Sequence, residues 1–235
     1  MNKNFLTIAT ALFIGGSLLL TSCKKDETGP VITLTGDSVQ TISLNASLTD
    51  PGATADDEKD GAITAITSDY LTMVNKDSAG TYTVSYTAAD SKDNSTTKTR
   101  SVIVKNDAEA FFASSYNANE TDALGPYTYS GNSDASKVVT VTASKSKNNR
   151  VWINRLGDFA NNKIYMDITS TTIDIPQQTV SNVGTGTAAN CEIHNRKTSG
   201  TGSKTATGFT LTYSDEKLAP CNGNRANVAA TFTKK

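Results

Sequence analysis

Residues 80–90 read Gly-Thr-Tyr-Thr-Val-Ser-Tyr-Thr-Ala-Ala-Asp, with Tyr82, Val84, Tyr86 and Ala88 on one face and hydroxyl or small residues on the other. A strand turns successive side chains to opposite faces, so this period of two specifies a half-buried sheet strand. Its surroundings read the same way. Val31–Leu34 follows Pro30, where a missing amide donor suits an edge strand. Val39–Leu44, Ala62–Thr67 and Ser95–Lys105 are further strands, and residues 50–61, Asp-Pro-Gly-Ala-Thr-Ala-Asp-Asp-Glu-Lys-Asp-Gly, are dense in turn chemistry. Short strands punctuated by turns, with no credible helix, predict about seven strands in an immunoglobulin-like sandwich over residues 30–106.

Five separated motifs narrow this further. Pro30-Val-Ile-Thr-Leu34, Asp50-Pro-Gly-Ala53, Asp60-Gly-Ala-Ile-Thr64, Gly80-Thr-Tyr-Thr-Val84 and the Asp90–Asn94 turn occur in an order that resembles the bacterial Ig-like domains called DUF5011, found in surface proteins and in the Cry22Aa-type toxin. The resemblance implies a spacer or adhesion module rather than a catalyst. One departure is Asp93, where the family usually has Gly before Asn; Asp tolerates the left-handed conformation better than most residues.

Residues 107–112 read as a linker, and residues 107–235 as a second β domain. Strands are expected at 127–131, 137–144, 150–156, 163–168, 171–175, 191–195, 206–213 and 227–233. Eight strands in simple succession favour an up-and-down barrel or a flattened sandwich. The order Ser-Lys-Val-Val-Thr-Val-Thr, Arg-Val-Trp-Ile-Asn-Arg-Leu, Thr-Ile-Asp-Ile-Pro-Gln-Gln, Ser-Gly-Thr-Gly-Ser, Phe-Thr-Leu-Thr-Tyr resembles the calycin-like (lipocalin-like) domains of Bacteroidetes lipoproteins. The fold class expected is therefore all-β: a sandwich followed by a small antiparallel barrel. The two halves, about 77 residues for 30–106 and about 123 for 113–235 beyond the linker, each lie in the size range of independent domains.

The N-terminus carries an address. Lys3 precedes an apolar run from Phe5 to Leu20, which Lys24-Lys25-Asp26-Glu27 cuts short of the ~20 residues of a full span. Leu20-Thr21-Ser22-Cys23 resembles the bacterial lipobox, which implies that residues 1–22 are removed and Cys23 is acylated. At about 0.8 kcal/mol per buried methylene, two or three acyl chains hold a protein stably on a membrane. Lys-Lys-Asp-Glu after the cysteine resembles the export tag of Bacteroidetes surface lipoproteins. Residues 23–29 are then a lipidated tether, and the expected location is the outer membrane, facing the cell surface.

With Cys23 assigned to lipid, Cys191 and Cys221 remain as a disulfide pair in an oxidising compartment, closing a loop worth roughly 3–4 kcal/mol. The 22 basic residues against 23 acidic ones provide no basic face for nucleic acid. Catalysis has little to draw on: His194 is the single histidine, without a nucleophile motif around it. Among metals, structural calcium has the best candidates in Asp50, Asp56, Asp57 and Asp60, although the spacing is not that of an EF-hand and solvated turns use the same residues. Gly184-x-Gly186 and Gly200-x-Gly202 read as flexible hairpin loops. Trp152, Tyr127 and Tyr165 are candidate ligand contacts, though aromatics in a small β domain are more often core. No cofactor is otherwise expected.

These features predict a non-catalytic, lipid-anchored envelope protein. Its sandwich would hold the terminal β domain out for contact with a carbohydrate, another nutrient or a protein. The alternatives are a purely structural or adhesive surface lipoprotein and a hydrolase with an unrecognised site.

Overall fold

The computed structural model describes residues 25–122, 125–126, 138–156, 164–180, 196–217 and 224–235. The chain is nearly all β, an Ig-like sandwich followed by a closed barrel. The sandwich holds β1 (Val31–Leu34), β2 (Val39–Ser43), β3 (Ala53–Asp57), β4 (Gly61–Ile63), β5 (Ile66–Ser68), β6 (Gly80–Ala89) and β7 (Ser95–Lys105). One sheet runs β1-β3-β4 and the other β2-β7-β6-β5, with β2 parallel to β7 and every other pairing antiparallel. Val84, Tyr86 and Ala88 are buried, as the period of two requires, with Ile32, Leu44, Tyr70, Val102 and Val104 around them.

Three local readings change. The turn-dense stretch 50–61 contains β3, because Ala53–Asp57 alternates in and out of the core. The single strand expected at 62–67 is divided between the two sheets as β4 and β5. Two one-turn helices also appear, α1 (Tyr70–Met73) and α2 (Glu109–Phe112), each too short to leave a sequence period. Asp93 has φ of +65°, the left-handed conformation expected at that position.

The barrel is built from β8 (Ser114–Asp122), β10 (Val138–Ala143), β11 (Arg150–Ile153), β12 (Ile164–Ile168), β13 (Thr172–Val180), β14 (Arg196–Lys204), β15 (Gly208–Lys217) and β16 (Asn224–Lys234). A two-residue β9 (Gly125–Pro126) folds back on β8. Neighbours pair antiparallel in chain order, and β8 closes the ring by pairing with both β10 and β16. Closure removes the exposed sheet edges that a flattened sandwich would leave. Strand β13 passes through Pro176 at a register shift between Ile175 and Gln178, where the missing amide breaks no ladder.

Strand β14 runs through the stretch read as a glycine loop. A Cβ on Gly200 would meet Tyr213 Cβ and Thr212 O at 2.6 Å, and one on Gly202 would collide with Thr210 O. These glycines permit a close approach of β14 to β15 rather than a flexible turn. Strand β8 was also missed, since Ser-Ser-Tyr-Asn-Ala-Asn-Glu-Thr-Asp is too polar to show an apolar period.

The barrel has two unlike ends. At the end where β8 begins, α2 drops Phe112 into the opening, against Phe209 at 5.8 Å between centroids. Phe209 in turn stacks on Phe232 at 4.5 Å and meets Tyr116 edge-on at 5.0 Å. The opposite end, where β14 begins and β15 finishes, buries charged side chains instead.

The aromatic end also meets the sandwich. Asn106, 1% exposed, directs its Nδ2 at the carbonyls of Ser144, Lys147 and Arg150 (2.8–3.0 Å). Its Oδ1 accepts from the amides of Ala108 and Asn149, both at 3.0 Å. The 144–149 turn of the barrel is thereby pinned to the end of β7. Asn45 Oδ1 accepts from Asn148 N at 2.8 Å, Asp107 exchanges two hydrogen bonds with Asn148, and Ala79 N donates to Lys145 O at 2.7 Å.

Candidate functional site

On the outer wall of the barrel, Trp152 of β11 stands directly opposite Tyr165 of β12. Alternation sets their direction: Val151 and Ile153 fill the interior, so Arg150 and Trp152 face outward, half-buried. The two rings meet edge-to-face at 5.7 Å and 71°. The Arg150 guanidinium lies 3.8 Å over the Tyr165 ring and grips Asp167 with two bonds, 2.6 and 2.7 Å. That ion pair holds Arg150 charged, its pKa above the ordinary value, and offsets the repulsion between Asp167 and Asp174, which face each other across β12 and β13. Gln178 brackets the backbone of Tyr165 from both sides, donating to its carbonyl at 2.9 Å and accepting from its amide at 3.1 Å. Two aromatic rings, a planar cation and carboxylates fixed on rigid strands can stack on a flat face and hydrogen-bond its hydroxyls.

The charged end of the barrel interior carries Glu120, Arg155, Arg196 and Asp215, each at most 7% exposed. Arg196 is bonded to Asp215, and Tyr213 donates to Glu120 at 3.0 Å. Arg225 stands opposite Asp215 across β15 and β16. This end can accommodate polar groups, in contrast to the aromatic end.

In the sandwich, the four aspartates considered for calcium do not converge. Asp50 accepts from Gly52 N, Ser68 Oγ and the Tyr86 hydroxyl, the last at 2.5 Å. Burial raises the Asp50 pKa, but those three donors outweigh it and leave the group below the usual carboxylate range. Burial and the adjoining carboxylate together push Tyr86 up to about 12. Asp56 is exposed, and Asp60 is tied to Ser91 at 2.6 and 3.1 Å. Only Asp57 faces other carboxylates. Asp26, Asp57 and Asp90 each offer one oxygen within 4.8 Å of the others, and each residue is buried. Lys59 approaches Asp26 at 3.0 Å and, more than the neighbouring Thr28, holds its carboxyl below the usual range despite burial. Burial and the adjacent Asp26 raise Asp90, but bonds from Asn94 and the amide of Lys92 leave it lowered. Among the described residues this is the one acidic group close enough to share a cation.

Asp26 joins that group because the segment read as a free tether packs on the sandwich. Asn94 Nδ2 donates to Asp26 O at 3.1 Å, Pro30 is buried, and a Cβ on Gly29 would meet Thr96 Oγ1 at 2.7 Å. No sequence signal marked this, since Asp26 lies 31 residues from Asp57 and 64 from Asp90 and only the fold brings them together. Cys23, Cys191, Cys221, Tyr127 and His194 lie outside the described residues.

The class these elements define is an all-β protein with an Ig-like sandwich and a closed eight-stranded antiparallel barrel. Residues 32–104 match the family described as Bacterial surface protein, Ig-like domain. No curated protein matches the chain. Among solved structures, the lipoprotein BT2262 from Bacteroides thetaiotaomicron is similar at TM-score 0.33 and 15% identity, over 87% of this chain and 100% of that one. A Clostridium perfringens ZmpB fragment, its CBM51-2 in complex with GlcNAc and INT domains, is similar at TM-score 0.27 and 14% identity, over 87% of this chain and 44% of that one. Both TM-scores lie too low to imply a shared fold.

Proposed function

We propose that this chain is a non-catalytic lipoprotein of the bacterial cell surface that presents its barrel for binding, with carbohydrate as the ligand class. The observation that carries the reading is the outward Trp152–Tyr165 pair, flanked by Arg150 and Asp167. In a small β domain such rings ordinarily enter the core; here the core is complete without them and they stand half-buried on the outer wall. Aromatic faces beside planar hydrogen-bonding groups suit a sugar ring, which has an apolar face and an equatorial rim of hydroxyls. The Ig-like domain matched to bacterial surface proteins supports the location, and the lipobox resemblance at Leu20–Cys23 supports the anchor.

A glycan-array screen of the detergent-solubilised full chain tests this. Binding to a defined glycan set, reduced at least about tenfold in Trp152→Ala, is the expected result; tenfold is about 1.4 kcal/mol, within the worth of one stacked ring. Absence of binding across the array, or binding indifferent to both Trp152→Ala and Tyr165→Ala, would remove the carbohydrate reading and favour a structural or adhesive role.

A further inference from the structure

Resting on the carbohydrate reading, we propose that the outer wall selects a neutral oligosaccharide of at least two sugar units. Trp152 stacks one ring, and Asp174 accepts hydroxyls of the next while turning away sugars that carry a carboxylate or a sulfate. Strands β11, β12 and β13 carry three charged residues, Arg150, Asp167 and Asp174. Ile173 and Ile175 are buried to either side of Asp174, so it points outward with the other two.

These charges do not cancel. Arg150 spends Nε and Nη2 on the two oxygens of Asp167, at 2.6 and 2.7 Å, and lays its guanidinium 3.8 Å over the Tyr165 ring. Such a planar fork is what grips a ligand's carboxylate, and here a carboxylate of the chain already holds it. Asp174 stands directly opposite Asp167, is exposed, and takes no hydrogen bond or ion pair from any described residue. Its neighbour in register on the other side, Thr201 of β14, is uncharged. The wall therefore keeps one carboxylate beyond what its own cation neutralises.

An ionised carboxylate offers two acceptor oxygens and no donor, the complement of adjacent sugar hydroxyls. The same charge repels an acidic sugar. At ~5 Å in a dielectric near that of water, a like charge weakens binding about fourfold, and more where the protein lowers the dielectric. Two lysines border the wall at a distance. Lys147 belongs to the β10–β11 turn beyond Arg150, two strand spacings from Asp174. Lys197 lies four residues from Thr201, about 13 Å along β14, and faces Glu216.

Spacing sets the length of the ligand. Trp152 is opposite Tyr165, and Asp174 is opposite Asp167, two residues further along β12. With strands ~4.8 Å apart and ~3.4 Å per residue, the Trp152 and Asp174 backbones stand about 12 Å apart. One pyranose ring does not span that interval. A ring stacked on Trp152 with its glycosidic neighbour over Asp174 does.

The test is an array pairing neutral mono- and oligosaccharides with counterparts that differ by one carboxylate or sulfate. It is probed with the detergent-solubilised full chain at about 50 mM and about 500 mM sodium chloride, where the screening length differs about threefold. Neutral glycans of two or more units should bind, and each acidic counterpart should bind at least about fourfold more weakly at low salt, the gap narrowing at high salt. Asp174→Asn should close most of the gap and weaken neutral binding only about threefold, as a charge-assisted acceptor becomes a neutral one. Asp167→Asn should close the gap further, because it also releases Arg150. Acidic glycans bound as tightly as neutral ones, a gap untouched by both Asn variants, or monosaccharides bound as tightly as disaccharides overturns the proposal. Trp152-dependent binding without the charge gap removes this selectivity alone, whereas no glycan bound at all removes the carbohydrate reading and the selectivity with it.

Discussion

Replacing Asn106 by Ala should uncouple the barrel from the sandwich. The side chain is 1% exposed and its amide serves five backbone groups. Arg150 O keeps a second donor, Ser144 N at 2.9 Å, so it is not orphaned. The bonds to Ser144 O and from Ala108 N are fully buried, and those groups lose their partners outright. Lys147 O is partly buried and recovers some hydration, and Asn149 N keeps a second acceptor, Asn148 Oδ1 at 3.0 Å. At about 1–3 kcal/mol per buried orphan, with a smaller cost for Lys147 O, the loss is roughly 3–5 kcal/mol. That is a large part of the 5–15 kcal/mol typical of a folded protein. Urea unfolding of the full chain checks it. Trp152 is the single tryptophan, so its fluorescence reports the barrel, while far-ultraviolet circular dichroism reports both units. In the unaltered chain the two probes should coincide; in Asn106→Ala the midpoint should fall and the probes separate. Asn106→Asp should be at least as damaging, since a carboxylate offers no donor to three carbonyls. A loss below about 1 kcal/mol with coincident probes would refute the reasoning, because it would mean the buried groups had found other partners.

Three further outcomes follow from particular residues. Gly202→Val should prevent the barrel from closing, since its Cβ would collide with Thr210 O; loss of the native Trp152 emission reads this, and a native spectrum with unchanged stability would contradict it. Tyr86, held protonated up to about pH 12, contributes stability that is complete below the ordinary tyrosine value near 10 and is lost as pH rises from about 10 to 12; Tyr86→Phe should remove that decline, and an identical decline would exclude Tyr86 as its source. Thiol titration of the denatured, unreduced chain should find neither Cys191 nor Cys221 free, and two free thiols would exclude the pairing.

Much of the sandwich was legible because its strands are one-sided. Buried Val84, Tyr86 and Ala88 impose a period that survives any detail of packing, and Asp93 could be placed in a left-handed turn from residue chemistry. Strands β8 and β14 were hidden because their constraint is proximity. Gly200 and Gly202 are required by β15, which lies beside them only after the barrel has closed. The acidic group was hidden for the same reason. Asp57 could be named as an oxygen donor in a turn-rich loop, but its companions Asp26 and Asp90 are assembled by topology. The aromatic wall was half legible: Trp152 and Tyr165 could be singled out by type, while their outward direction depended on register against Val151 and Ile153.

The claim on which the account depends is that the barrel is carried on a lipid anchor at Cys23. Metabolic labelling with radioactive palmitate, followed by membrane fractionation, measures it directly. The unaltered chain should be labelled and pellet with membranes, and Cys23→Ala should be unlabelled and soluble. Continued pelleting of Cys23→Ala, with unchanged mobility, would contradict it.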